Sequence, residues 1–178
     1  MNRKTRETDV TVELDAAGGI RTGDKVLDHL LTALFFYMGR GAKVEATYDL
    51  RHHLWEDVGI TLGEELRSKL SEKFARFGDA VMPMDDALVL VAVDISGRPY
   101  ASVELSFEEG EEGFEASLVR EFLWGLARSL RATIHVKTLS GVNAHHVVEA
   151  AFKGLGVALG RAIRESRKVE STKGLLEV

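Results

Sequence analysis

Four of the six histidines in this 178-residue sequence fall in two copies of one pattern: His52-His53-Leu54-Trp55-Glu56 and His145-His146-Val147-Val148-Glu149. On a helix, the first histidine and the glutamate of each copy are four residues apart, so they face one side and can hold one metal ion together. The second histidine points about 100° away at roughly 3.6 residues per turn, toward a different ion. Two such helices facing each other, within one chain or between subunits, can hold two ions with ligands drawn from both motifs. His29, in Asp28-His29-Leu30-Leu31, and His135, on an expected strand, complete the set. Dividing the imidazoles and two carboxylates gives three nitrogens and one oxygen per ion, with positions left for substrate and water. Such donors suit manganese, iron, cobalt or zinc better than magnesium or calcium. One His-His pair at a helix start is ordinarily a surface or capping feature; a second copy of the whole pattern favours the metal role.

The elements that position these residues follow a repeated rhythm. Val10, Val12 and Leu14 alternate with Thr11 and Glu13, which predicts a half-buried strand, and Gly18-Gly19 predicts a turn before a second short strand. Leu27, Leu30, Leu31, Leu34 and Met38 recur at helical spacing, with Gly39 and Gly41 as the stop. Val44, Ala46 and Tyr48 alternate again, and Val58, Leu62, Leu66 and Leu70 mark a second helix. In the second half the apolar run Leu88 to Val93 predicts a buried strand, and Val103, Leu105 and Phe107 one with a wet face. Residues 108–113 form an acidic, glycine-rich loop. A helix is expected from about Phe114 to Leu130, a strand at Thr133–Lys137, and a last helix from about Ala144 to Ile163 with Val148, Ala151, Leu155 and Leu159 inward.

Each half thus reads as strands, helix, strand, helix, and the last helix of each begins near a His-His pair. The expected fold is α+β: two similar lobes from an internal duplication in a single domain, with lobe one at about 1–80, lobe two at about 81–165 and a C-terminal tail at about 166–178. Composition bounds the function. Hydrophobic residues are 45% and charged residues 29%, with a formal net charge of −5, which fits a soluble enzyme and argues against nucleic acid as a partner. There is no cysteine, so thiolate metal sites and a cysteine nucleophile are excluded. No apolar run approaches the roughly 20 residues that cross a bilayer, and the first residues are polar, so the expectation is a cytoplasmic protein with no membrane partner.

The paired His-His-x-x-Glu motifs resemble those of the imidazoleglycerol-phosphate dehydratase family. So do Thr5-Arg6-Glu7-Thr8, Asp28-His29-Leu30-Leu31, Arg76-Phe77-Gly78 with Pro83-Met84-Asp85, Asp94-Ile95-Ser96-Gly97-Arg98-Pro99-Tyr100, and Ser171-Thr172-Lys173-Gly174, in the family's order over nearly the whole chain. The resemblance implies dehydration of imidazole glycerol phosphate to imidazole acetol phosphate in histidine biosynthesis, with two manganese ions (Mn2+) per active site. It implies that His29, His52, His53, Glu56, His135, His145, His146 and Glu149 are the ligands. Glu7, Glu149 and His53 are the catalytic candidates it implies, with Glu7 also touching substrate as the acid/base. Arg76, Arg98, Lys153, Ser171, Thr172 and Lys173 would hold the phosphate, arginine offering a planar two-donor fork. It further implies helices packed between β-sheets and a homo-oligomer, a 24-mer of about 24 copies with active sites shared between subunits.

The sequence also departs from the family's pattern. Asp49-Leu50-Arg51 precedes the first His-His where one or two aspartates are usual, and Arg51 cannot supply their charge. Tyr37 stands where a further histidine is usual, Asp86 replaces glutamate and Leu30 replaces methionine. Two other readings fit part of the pattern: a metal-dependent hydrolase of the same fold, and a metal-binding scaffold without turnover. The scaffold reading gives no role to Glu7 or to the phosphate set.

Overall fold

The structure, a computed structural model, describes residues 1–108, 110–175 and 178; the expected acidic loop and C-terminal tail therefore lie partly outside the described residues. Lobe one runs β1 (Asn2–Lys4), β2 (Thr8–Leu14), β3 (Gly19–Arg21), α1 (Lys25–Met38), β4 (Ala42–Tyr48) and α2 (Arg51–Ser68). Lobe two repeats it: β5 (Phe77–Met84), β6 (Ala87–Asp94), β7 (Tyr100–Glu104), α3 (Ala116–Leu130), β8 (Thr133–Ser140) and α4 (Ala144–Ala162). The two four-stranded sheets have equivalent strand orders, β1-β2-β4-β3 and β5-β6-β8-β7. In both, the first three strands are antiparallel and the last joins parallel to its neighbour. The two similar lobes and the α+β class are thereby shown.

Local sequence accounts for each element. In β2, Val10 and Val12 are fully buried, with Thr11 and Glu13 on the other face. Asp24 caps α1 by accepting from the amides of Val26 and Leu27 at 3.0 and 3.2 Å, and Gly39 ends it in the left-handed region at φ 74°. The expected apolar stripes on α1 and α4 are buried. Leu70 falls past the end of α2 and is half-buried. Two expectations change. The strand expected through Val103, Leu105 and Phe107 ends at Glu104, leaving Leu105 and Phe107 past its end. And β6, read as a buried strand, is buried only at Ala87, Val89, Val91 and Val93. Leu88, Leu90 and Ala92 are half-exposed, because helices cover only one face of this sheet within the chain.

The helices lie between the sheets and cross-pack: α1 against α4, and α2 against α3. Each lobe's first helix is therefore covered by the other lobe's second. Trp55 of α2, Phe122 of α3 and Phe152 of α4 are buried to within 1% and meet edge to face or tilted, with Phe152 6.2 Å from Trp55 and 5.1 Å from Phe122. A single core thus spans both lobes. Close backbone approach requires glycine: a Cβ on Gly59 would stand 2.2 Å from the Phe122 carbonyl oxygen, and one on Gly156 2.3 Å from that of Leu34. This rigid pairing sets where the first turns of α2 and α4, which carry the His-His pairs, emerge. Among the described residues, no helix is long and apolar enough to cross a membrane.

Candidate active site

Packing of α1 on α4 brings three expected ligands together. Glu149 Oε2 lies 2.8 Å from His29 Nε2 and 2.9 Å from His145 Nε2. His145 and Glu149 meet because they are one helical turn apart; His29 arrives from the other lobe. The Glu149 side chain is buried, and Lys153, a further turn along, places its Nζ 2.9 Å from Oε1. Burial alone would raise this carboxyl, but the hydrogen bonds from His29 and Lys153 outweigh it and hold it at about 2. Phe114 stacks on the His145 ring at 4.3 Å, and Glu111 stands 3.5 Å from its Nδ1.

Two imidazole nitrogens and a carboxylate oxygen, all within 4.8 Å of one another, are donors of the kind manganese, iron, cobalt or zinc accepts. The group fits such an ion as part of a ligand set. His146, rotated about 100° around α4, faces elsewhere. Its Nδ1 meets Asp86, which raises the imidazole from its ordinary value and, with the amides of Val142 and Asn143, holds the Asp86 carboxyl well below the usual carboxylate range.

The first motif is arranged differently. His53 Nδ1 lies 2.7 Å from Asp49 Oδ1 and 3.8 Å from Glu7 Oε2. The Asp49 hydrogen bond raises the His53 imidazole and lowers Asp49 in turn. Glu7, from the β1–β2 turn, Asp49 and His53 form a second donor group within 4.8 Å. His52 is exposed, its ring 4.2 Å from that of His53. Glu56 pairs with Arg128 of α3 at 2.7 Å, and among the described residues no hydrogen bond joins it to His52. His135 lies on the open face of β8, exposed, in register with Ala92 and Ser102 and 5.7 Å from the Tyr100 ring. Within one chain, then, the expected ligands fall into separate groups.

The expected phosphate residues gather at the opposite end of the β5–β6 hairpin from His146, with His135 two residues along β8 from Thr133, whose hydroxyl donates to the Arg98 carbonyl at 3.2 Å. Arg76, Arg98, Ser171, Thr172 and Lys173 line one cavity of about 480 Å³, together with Ser96 and Gly97. Arg76 has a left-handed backbone (φ 69°) and is fixed by Asp94 at 2.6 and 3.0 Å and by the Glu170 carbonyl at 2.9 Å. The Asp94 hydrogen bonds raise its guanidinium further above its ordinary value. Lys153 is not in this cavity; it stands beside Glu149 and 3.5 Å from Met84 Sδ. Arg76 precedes the open end of the β5–β6 hairpin and Asp86 lies at its tip, so the cavity and His146 are separated by eight-residue strands, roughly 24 Å at about 3.4 Å per residue.

Three features escaped the sequence reading. Asp49 supplies the carboxylate at His53 that Arg51 could not, so the expected loss of an orienting charge before the first motif does not occur; its signal was its position four residues ahead of His53. Asp86 does the same for His146 from a hairpin tip. Arg51 instead ties the site's scaffold: its Nε meets Asp24 Oδ2 at 2.8 Å, and it reaches Glu115 at 3.2 Å and the Gly113 carbonyl at 3.4 Å. Trp55 Nε1 donates to the same Asp24 oxygen at 3.1 Å. Asp24 thus caps the helix bearing His29 and grips the one bearing His52 and His53. Burial opposes ionisation of Asp24, yet Arg51 and Trp55 bring its carboxyl below the ordinary value. Tyr37 is half-exposed, with its ring 5.9 Å from Lys153 Nζ.

Known proteins place these observations. The family model for imidazoleglycerol-phosphate dehydratase matches residues 22–159. The imidazoleglycerol-phosphate dehydratase of Pyrococcus furiosus is 66% identical over 176 residues, covering 99% of this chain and 100% of the relative. That of Metallosphaera sedula is 46% identical, covering 98% and 96%. A crystal structure of the Pyrococcus furiosus protein superposes with a TM-score of 0.98 at 66% identity, covering 99% of this chain and 100% of that one. The Staphylococcus aureus enzyme gives 0.79 at 32% identity, covering 93% and 98%. Both His-His-x-x-Glu motifs lie inside the span of the family match, and this chain belongs to the imidazoleglycerol-phosphate dehydratase family.

Proposed function

We propose that this chain catalyses the manganese-dependent dehydration of imidazole glycerol phosphate to imidazole acetol phosphate in histidine biosynthesis, in the cytoplasm where that pathway draws its substrate. Family membership supports the substrate and the reaction. The observation that carries metal dependence is the convergence of His29 and His145 on the Glu149 carboxylate from opposite lobes. His52, His53, Glu56, His135 and His146 complete the ligand set in this reading, two manganese ions serving each site.

Manganese held by these residues would supply Lewis acidity that eases departure of the hydroxyl beside the imidazole ring. Glu7 removes the proton from the neighbouring carbon, and that proton leaves with the hydroxyl as water. The resulting enol rearranges to the ketone. Arg76, Arg98, Ser171, Thr172 and Lys173 hold the phosphate by charge and hydrogen bonds. Lys153, its Nζ 2.9 Å from Glu149 Oε1, joins His29 in keeping that carboxylate ionised.

The active enzyme in this reading is a homo-oligomer, a 24-mer of about 24 copies, whose sites are completed between subunits. What supports this is distance. The phosphate cavity and the His146 end of α4 lie roughly 24 Å apart along the β5–β6 hairpin, farther than one small phosphorylated imidazole reaches. His135 faces away from the other histidines, with Tyr100 half-exposed beside it. The test is turnover of imidazole glycerol phosphate by protein stripped of metal, before and after manganese is added. Acetol phosphate formed only with manganese supports the reading; turnover unaffected by stripping, or none with two ions bound, rejects it.

A further inference from the structure

The duplication gives Glu7 a structural counterpart. Thr8 opens β2 and Ala87 opens the equivalent β6. Glu7 and Asp86 are therefore the same position, the last residue of a hairpin tip. Each stands beside the second histidine of its lobe's pair, yet they are engaged differently. Asp86 Oδ1 is 2.5 Å from His146 Nδ1, and its Oδ2 accepts from the amides of Val142 and Asn143. Glu7 is 3.8 Å from His53 Nδ1, its side chain is 57% exposed, and among the described residues its carboxylate accepts no hydrogen bond. In lobe one both tasks fall to Asp49: its Oδ1 faces His53 Nδ1 at 2.7 Å and accepts from the Leu50 amide at 2.6 Å.

We infer that Asp49 and Asp86 are matched positioning residues that fix the Nδ1–H tautomers of His53 and His146, and that Asp49, by taking over the role its lobe would otherwise leave to the hairpin tip, releases Glu7 to act on substrate. A carboxylate at Nδ1 accepts that proton and leaves the lone pair on Nε2, the nitrogen available to a metal. Asp85, exposed, stands 3.5 Å from the Nε2 of His146, on that ligand side. The inference rests on the reading above that His53 and His146 are metal ligands. It assigns different work to two carboxylates that neighbour one imidazole: orientation to Asp49, proton transfer to Glu7.

The experiment uses the full-length protein in its native assembly, stripped with a chelator and titrated with Mn2+ alone while electron paramagnetic resonance counts the free ion. Melting temperature and turnover are read in parallel for Asp49→Asn, Asp86→Asn and Glu7→Gln. Asparagine keeps the size of the side chain but can turn an amide N–H toward Nδ1, favouring the wrong tautomer. Each Asn variant is expected to weaken one class of Mn2+ site by about 10- to 100-fold, and the double variant both classes. Glu7→Gln is expected to bind Mn2+ as the unsubstituted protein does while turnover is lost. Asn variants with lower melting temperature and unchanged Mn2+ affinity would make these aspartates structural and overturn the inference alone. Weakened Mn2+ binding in Glu7→Gln would overturn the division of labour. An unsubstituted protein that binds no Mn2+ would overturn both this inference and the metal reading beneath it.

Discussion

His29 Nε2 stands 2.8 Å from Glu149 Oε2 although 120 residues separate the two in the chain. The contact joins the first helix of one lobe to the last helix of the other. It makes the buried carboxylate sensitive to everything that moves either helix.

Glu149→Gln tests the charge at that junction. The Glu149 carboxyl is held at about 2 against an ordinary 4.5. A depressed carboxyl contributes stability that is present above its unfolded value and lost as pH falls through its folded value. Metal-stripped Glu149→Gln should therefore melt below the unsubstituted protein at pH 6, and the gap should narrow between about pH 4.5 and 2. Thermal melts across that range check it; a gap that widens in acid contradicts the assignment. Bound manganese should weaken by at least tenfold in the same variant, with turnover falling about as far.

Arg98 and Arg76 share the cavity but not the same restraint. Arg76 is gripped by Asp94, whereas the contacts of Arg98 to Ser96 and Thr133 are made by its backbone. Arg98→Ala should raise KM about tenfold with a smaller change in kcat, the cost of one charged hydrogen-bond partner for phosphate. Inorganic phosphate should lose potency as an inhibitor by a similar factor. Steady-state kinetics and inhibition curves separate this from a general loss of fold.

Asp24→Asn should destabilise the protein by about 2 kcal/mol near neutral pH, since a buried carboxylate that accepts from Arg51, Trp55 and two helix amides loses its charge. The shift is readable from denaturant unfolding followed by tryptophan fluorescence, Trp55 being one of its partners. Because the Asp24 carboxyl lies below its ordinary value, the penalty should shrink as pH falls through that lower range. A penalty independent of pH would remove the Arg51 ion pair from the account.

Gly59→Ala should cost about 3 kcal/mol by forcing α2 from α3. The added methyl would lie 2.2 Å from a backbone oxygen, which no rotamer change relieves. Gly41→Ala, where nothing lies within 4 Å of the new atom, serves as the control and should leave the melting temperature nearly unchanged.

Much of this architecture could be read from the chain because it is written locally. Alternation at Val10 and Val12 and the stripe through Leu27, Leu30, Leu31 and Leu34 are consequences of burying one face of a strand or helix. The repeated motif exposed the duplication. What the sequence did not reveal is non-local. Nothing near His29 indicates that α1 packs on α4, so its meeting with His145 and Glu149 followed only from the three-dimensional pairing. Lys153, grouped by resemblance with the phosphate residues, stands one turn beyond Glu149 and far from Arg76. The half-exposed face of β6 was invisible for a similar reason: an apolar run is the same whether both faces are covered or one. Asp49 and Asp86 were hidden by their ordinary type; their partners, not their spacing alone, give them meaning.

The cross-packing of helices has a consequence for cutting the chain. Severed between α2 and β5, each fragment would carry one His-His-x-x-Glu motif and one sheet, but the oily sides of its two helices would lose their cover. Glycines such as Gly59 and Gly156 fit only against the opposite fragment's backbone. The fragments should be poor folders apart and should reconstitute when mixed, docking as two unlike partners. His29 would then reach Glu149 across a non-covalent seam, so recovery of the metal group would report directly on correct docking.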